Sequence, residues 1–231
     1  MLENLNFVLE HGEFISIVGP SGCGKSTILN LISGLLKACS GEVKLNGRTL
    51  NGISNKVGYM LQHDHLFEWR TIWQNIMLGL QVQKKVDAES KDYAKTLLER
   101  YNLAEFKDYY PRQLSGGMRQ RVALIRTLVL KPDLLLLDEP FSALDYQNRL
   151  KLSDDVFNMI EREKKTAILV THDIAESISL SDRVLVLSGR PSRVTKQVNT
   201  NLRSLGTPLK RRKAPAFQMW FNEIWQSMQN Q

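Results

Sequence analysis

Phe14-Ile15-Ser16-Ile17-Val18-Gly19-Pro20-Ser21-Gly22-Cys23-Gly24-Lys25-Ser26-Thr27 is the stretch whose reading decides the fold. Phe14 to Val18 is a short apolar run of the kind a buried strand makes, and Ile28, Leu29, Leu31, Ile32 and Leu35 recur beyond it at helical spacing. Between strand and helix, Gly19 to Ser26 fits the phosphate loop G-x-x-x-x-G-K-[ST]. Its glycines let the backbone curl so that amide N–H groups point at phosphate oxygens, and the helix N-terminus adds partial positive charge at the same point. Lys25 is placed to reach β- and γ-phosphates, Ser26 to ligate Mg²⁺, and Thr27 closes the set of nucleotide contacts.

Such a loop needs a second magnesium contact. Leu134-Leu135-Leu136-Leu137 followed by Asp138-Glu139 supplies one: an acidic pair at the end of a strand apolar enough to be covered on both faces. Asp138 is the candidate metal holder, commonly through water, and Glu139 the candidate base that polarises an attacking water. Other apolar runs, Val57–Leu61, Ala167–Val170 and Val184–Leu187, read as further strands. Val43–Leu50 reads as a hairpin about Asn46-Gly47, a pair that supplies the positive φ angles of a tight turn. From about Ile72 to Val129 the pattern is mostly helical, broken at Pro111.

Composition bounds what surrounds this core. At 231 residues, 42% hydrophobic and 24% charged, the chain is an ordinary globular one, neither disordered nor fibrous. No apolar run approaches the roughly 20 residues of a membrane span, and the N-terminal residues lack a signal peptide's basic start and apolar stretch. Two cysteines, Cys23 and Cys39, offer no disulfide framework and suit a reducing cytosol. The net charge of +7 is carried by Arg190 onward, where eight basic residues meet one acid; the preceding part is balanced. A basic stripe on the folded body, as nucleic-acid binding requires, is not indicated.

Leu114-Ser115-Gly116-Gly117-Met118-Arg119-Gln120-Arg121 resembles the signature motif of the ATP-binding cassette (ABC) ATPases, whose usual form is LSGGQ. Gln62 after a strand resembles that family's Q-loop, Ser142-Ala143-Leu144-Asp145 its D-loop, and His172 in Thr171-His172-Asp173 its H-loop. The resemblance covers residues 1–190, with five motifs in order. It implies an α/β P-loop NTPase cassette with a RecA-like core, an antiparallel β subdomain and a helical signature subdomain at about 72–130. Residues 191–231 then form a basic tail ending in an amphipathic helix.

The family also implies chemistry. Two cassettes face head to tail, each ATP lying between one phosphate loop and the partner's Ser115, Gly116 and Gly117. Gln62 senses magnesium and the attacking water, His172 holds the γ-phosphate end, and Asp145 couples the two sites. Catalytic roles thus fall to Glu139, His172 and Gln62; magnesium contacts to Ser26, Gln62 and Asp138. The resemblance implies that the segment Gln62–Arg70 is a groove for a cytoplasmic helix of an integral-membrane permease, with Phe67 and Trp69 as apolar anchors; its two histidines and two acids are also residue types of a metal site. Leu66-Phe67-Glu68-Trp69, Gly-Gly-Met in the signature and Glu139-Pro140-Phe141-Ser142 most resemble importers of nitrate, sulfonate and taurine. The implied protein is a peripheral ATPase, at the cytoplasmic face of the cell membrane, of an importer that also uses a solute-binding protein. Alternatives are a nucleotide-binding regulatory module and a DNA- or ribosome-associated ATPase.

Two departures are noted. Met118 replaces the usual Gln, leaving the backbone amides untouched. The aromatic on which such cassettes stack adenine belongs upstream of Leu5–Leu9, where this sequence supplies none; Phe7 aligns with a core strand. Cys23 is open to two readings, a reactive thiol in the loop or a tolerated small residue. Phe217, Trp220, Phe221, Ile224, Trp225 and Met228 share one helical face, suiting a closing helix or an interfacial anchor.

Overall fold

The computed structural model describes residues 2–142 and 144–229. The apolar runs become strands. In chain order they are β1 (Phe14–Val18), the short β2 (Lys44–Leu45) and β3 (Arg48–Thr49), β4 (Val57–Met60), β5 (Leu134–Asp138), β6 (Thr166–Val170), β7 (Arg183–Leu187) and β8 (Val194–Asn199). Every residue of β1, β5 and β6 is buried, because helices cover both faces of the parallel sheet they share. The sheet order is β4-β5-β6-β1-β7-β8, parallel except for β8, which returns antiparallel to β7. β2 and β3 pair separately, with Asn46 and Gly47 both at positive φ as the turn requires.

Helix α1 (Lys25–Ile32) follows the phosphate loop. Between β4 and β5 come α2 (Ile72–Val82), α3 (Ala88–Arg100) and α4 (Gly116–Leu128), and Pro111 opens a 3-10 turn before α4. Capping boxes fix the starts of two of them, Thr71 with Gln74 at α2 and Asp87 with Ser90 at α3. Their apolar faces (Ile76, Leu97, Leu124 and neighbours) join Phe14, Leu135, Leu137 and Leu169 from one sheet face in a single core. The opposite sheet face packs Ile15, Ile17, Leu136 and Ile168 against α1 and the N-terminal segment. That segment, including Phe7, lies against this core without forming a strand, contrary to the strand expected there.

The boundary expected at residue 190 does not divide the molecule. β8 completes the main sheet, and α5 (Tyr146–Arg162), α6 (Ile174–Leu180), α7 (Pro208–Arg211) and α8 (Pro215–Gln229) finish the layers around it. Phe217 and Ile224 of α8 are buried with Val18, Ile178, Val184 and Val198, and Trp220 Nε1 donates to the Thr200 carbonyl at 3.2 Å. The helix therefore closes the fold. The basic segment is tied to the folded body as well, though Arg190, Arg193, Arg203, Lys210 and Lys213 stay exposed. Lys196 pairs with Glu223 at 2.6 Å and Arg193 with Glu3 at 2.7 Å, and Arg203 meets Asp182 at 2.8 Å. Arg211 is fully buried, stacked 4.3 Å over the Phe157 ring and donating to the carbonyls of Gly206 and Ser179. Among the described residues no helix is long and apolar enough to cross a membrane.

Candidate functional site

Four neighbouring strands, β4, β5, β6 and β1, end at one edge of the sheet, and a parallel α/β sheet gathers its ligand-facing loops there. β1 runs into the phosphate loop, β5 ends in Asp138 with Glu139 next, β6 is followed by Thr171-His172-Asp173, and Gln62 lies two residues beyond β4. The residues singled out in the sequence on these strands thus converge because their strands are hydrogen-bonded neighbours in register.

The loop's curl rests on its glycines. A side chain at Gly19 would meet the Leu187 backbone oxygen at 3.1 Å and Cys23 Sγ at 3.1 Å, so only glycine lets the loop lie against the end of β7. Gly24 caps α1 at φ 108 with no side-chain hydrogen bond, which leaves the helix's first amides to a ligand. Buried Lys25 donates through Nζ to the carbonyls of Gly19 at 2.9 Å and Pro20 at 3.0 Å. Cys23 is buried in the core beside Ile17 and Leu187, where it packs as a small apolar side chain.

Asp138 takes two hydroxyl donors. Ser26 Oγ donates to Oδ1 and Tyr59 OH to Oδ2, both at 3.2 Å. Burial raises its pKa and the Glu139 charge adds to that, outweighing these hydrogen bonds and the attraction of Lys25. A carboxylate so placed is stabilised by a cation. A hydroxyl, a carboxylate and the nearby Gln62 amide are hard oxygen donors suited to Mg²⁺, which takes few protein ligands beside phosphate oxygens and water. Tyr59 carries no motif; its signal in the sequence is only a polar-tipped aromatic on the strand before Gln62.

Glu139 continues the sheet edge, its N–H donating to the Val170 carbonyl at 2.9 Å, and sits at φ 43, a strained value for a non-glycine residue. Its Oε2 lies 3.1 Å from His172 Nδ1 and 3.5 Å from Gln62 Nε2. Asp145 caps α5, accepting from Asn148 N at 3.0 Å, and Asp173 caps α6, accepting from Glu176 N at 3.0 Å. Ala143 of the same loop lies outside the described residues.

The signature residues stand apart from this cluster. Ser115 caps α4, accepting from Met118 N at 3.4 Å, and Ser115 and Gly116 are exposed with Gly117 half-buried. Arg119 turns to the segment after Gln62, bonding Asp64 through Nε at 2.9 Å and Glu68 through Nη2 at 2.9 Å. Although burial acts the other way, the Arg119 hydrogen bonds and the Leu66 amide hold the Asp64 carboxyl below its usual range. His63 and His65 join no metal cluster among the described residues. Phe67 and Trp69 contact each other, ring centroids 4.9 Å apart, with Trp69 72% exposed. Fully buried Asn75, unmarked in the sequence, shapes their loop by accepting from Phe67 N and donating to the carbonyls of Phe67, Arg70 and Thr71.

Residues 2–142 match the ABC transporter family model. An uncharacterized ABC transporter ATP-binding protein, YtlC of Bacillus subtilis, is 45% identical over 98% of this chain and 88% of its own length. An aliphatic sulfonates import ATP-binding protein, SsuB of Bacillus cereus, is 44% identical over 87% and 79%. A nitrate import ATP-binding protein, NrtD of Synechocystis, is 41% identical over 87% and 76%. Among solved structures, a dimeric ATP-binding cassette in a post-hydrolysis state with ADP and Pi aligns at TM-score 0.71 and 32% identity, over 87% of this chain and 90% of the other. With the strand-end cluster and the outlying signature helix, these likenesses place the chain in the ABC transporter family, as an ATP-binding cassette ATPase.

Proposed function

We propose that the chain powers an importer for a small anionic solute of the sulfonate or nitrate kind, acting as an identical pair beneath an integral-membrane permease at the cytoplasmic face of the cell membrane. The solute class is supported by the printed activities of the sulfonate and nitrate relatives and by the Leu66–Trp69 and Gly-Gly-Met stretches. A solute-binding protein serves the pathway without touching the cassette, and no nucleic acid takes part.

One observation carries the catalytic reading: the Glu139 carboxylate meets His172 and Gln62 through a single oxygen. Oε1 is then the acceptor for a water's proton, and the two partners hold the carboxylate at the strand edge. Gly19, Pro20, Ser21, Gly22, Cys23 and Gly24 wrap the phosphates with backbone, while Lys25, Ser26 and Thr27 complete the cradle at the start of α1. Ser26, Asp138 and Gln62 would hold Mg²⁺, which when bound neutralises charge on β- and γ-phosphate oxygens. Ser115, Gly116 and Gly117 of the second copy offer their amides to the γ-phosphate, so ATP joins the pair and hydrolysis parts it. Asp145 links the two sites, and Phe67 and Trp69 receive a helix of the permease.

Glu139→Gln tests the reading because the amide keeps the side chain's shape without its basicity. Phosphate release should fall about 10²- to 10⁴-fold, with ATP binding retained and an ATP-dependent dimer accumulating on size exclusion. Near-normal turnover would remove Glu139 as the base. Co-purification of the native chain with a permease tests the importer assignment separately.

A further inference from the structure

Arg149, one turn into α5, reaches two loops that the hydrolytic site needs. Its Nη2 donates to the Leu144 carbonyl at 3.1 Å, next to Asp145. Its Nη1 lies 3.6 Å from Asp173 Oδ2 and its Nε 3.7 Å from Glu176 Oε1. These separations exceed the roughly 2.7–2.9 Å of a charge-assisted hydrogen bond, and Nε is buried without a hydrogen-bond acceptor. The guanidinium is thus shared between two carboxylates and fixed by one carbonyl.

Both carboxylates hold the loop of His172. Thr171 Oγ1 donates to Glu176 Oε2 at 2.8 Å and accepts from Asp173 N at 3.0 Å, and Asp173 in turn accepts from Glu176 N. The residues on either side of His172 are therefore fastened to the acids that Arg149 attracts. We propose that Arg149 is a positioning residue that ties the Asp145 loop to the His172 loop, so that His172 is aimed at the γ-phosphate only when the Asp145 loop is in place. The proposal rests on the ATPase reading and adds a link between two of its parts.

Four groups face Glu176: Asp173 from its own cap, Thr171 from the end of β6, Arg149 from α5, and Arg212 from beyond α7. Burial first, then the Asp173 charge, push its carboxyl up to about 7 against the other three. The pairing with Arg149 is thus completed as pH rises through neutrality.

The test is steady-state ATP hydrolysis by the full chain from pH 6 to 8.5, for the parent, Arg149→Gln, Arg149→Lys and Glu176→Gln. Arg149→Gln should lower kcat about tenfold to a hundredfold, the scale of a misplaced catalytic group, with KM for ATP within about twofold. Lysine should recover only part of the loss, because a point charge cannot bond the carbonyl and pair both acids at once. The parent kcat should step up near pH 7, and Glu176→Gln should lack that step. A merely structural arginine would leave the step intact in both variants at that position. Parent-like kcat in Arg149→Gln, or a step retained in Glu176→Gln, overturns the proposal. Should Arg149→Gln fail to fold, the lysine and Glu176 variants decide. No hydrolysis by the parent would instead sink the ATPase reading, and this link with it.

Discussion

Two helix N-termini in this chain present backbone amides in different surroundings, one behind a left-handed glycine without a side-chain cap and one behind an extended serine that caps it. α1 starts at Gly24 with no side-chain cap, and Lys25, Asp138 and Glu139 stand about it at the strand ends. α4 starts at Ser115, and its nearest charged residue on the helix, Arg119, is committed to Asp64 and Glu68. The first end has a glycine-rich loop, hard oxygen donors and a carboxylate held by His172 and Gln62. The second has amides and a hydroxyl. The difference teaches that, in the proposed mechanism, a helix terminus would supply binding while hydrolysis would come from the β-strand ends beside it. In the head-to-tail pair proposed above, each chain would hold halves of two different sites.

The largest expected effects come from breaking each half in turn. Lys25→Ala removes a charge-assisted donor; at about 1.5–3 kcal/mol per such bond, ATP affinity should fall on the order of tenfold to a hundredfold. Gly117→Leu should behave oppositely. No atom lies within 4 Å of where its side chain begins, and leucine is the better helix former by about 0.8 kcal/mol, so melting temperature should hold or rise. ATP should still bind in the chain's own loop, but hydrolysis should be lost. At an ATP concentration too low to fill the Lys25→Ala loop, mixing the two variants should restore roughly a quarter of parent turnover, since half the dimers are mixed and each keeps one intact composite site. Calorimetry gives the binding, phosphate release the turnover. No recovery on mixing would mean that phosphate loop and signature do not act across two copies.

The two halves also differ in how openly the sequence displays them. Lys25, Ser26, Asp138, Glu139 and Ser115 sit in contiguous motifs, each with its chemistry declared by the residues beside it. Strands β1, β4, β5, β6 and β7 were legible for a similar reason, being apolar runs between turn or charge signals. Tyr59 and Arg149 were not, because each acts on a group that only the fold brings near, Tyr59 on Asp138 and Arg149 on Glu176; Asn75 bonds residues four to eight positions before it, but no motif marks it. Arg211 shows the same limit. In sequence it stands in Lys210-Arg211-Arg212-Lys213, among the bases counted into a charged tail; in the fold it is buried on Phe157 with backbone carbonyls around it. β8 escaped because its alternating Val194, Lys196 and Val198 lie among the bases that suggested a tail.

A smaller effect separates the hydrolytic side's polar support from its packing. Glu176 has its pKa raised from 4.5 to about 7, by burial and then by Asp173. Folding therefore favours the protonated acid: the associated stability is full below about 4.5 and is lost as pH rises through about 7. Between pH 5 and 8 the parent should lose on the order of 2 kcal/mol by this route, and Glu176→Gln should not. Thermal melts of both across that range measure the difference. Parallel curves would mean that Glu176 folds already ionised, with Arg149 and Arg212 compensating its burial in full.

The smallest effect bears on what the Ser115 hydroxyl is for. Its bond to Met118 N, at 3.4 Å, is long for a cap. Ser115→Ala should then cost no more than about 0.5 kcal/mol, the low end for a lost N-cap. Were capping its main task, a larger fall in stability and little change in turnover would follow. The composite site requires the reverse. In the proposed pair, a hydroxyl so weakly engaged by its own helix would serve the partner's γ-phosphate, and losing one hydrogen bond to that charged group would remove about 1.5–3 kcal/mol. ATP turnover should therefore fall about tenfold or more while the melting temperature scarcely moves, and that split can be read from one preparation by melting and phosphate release.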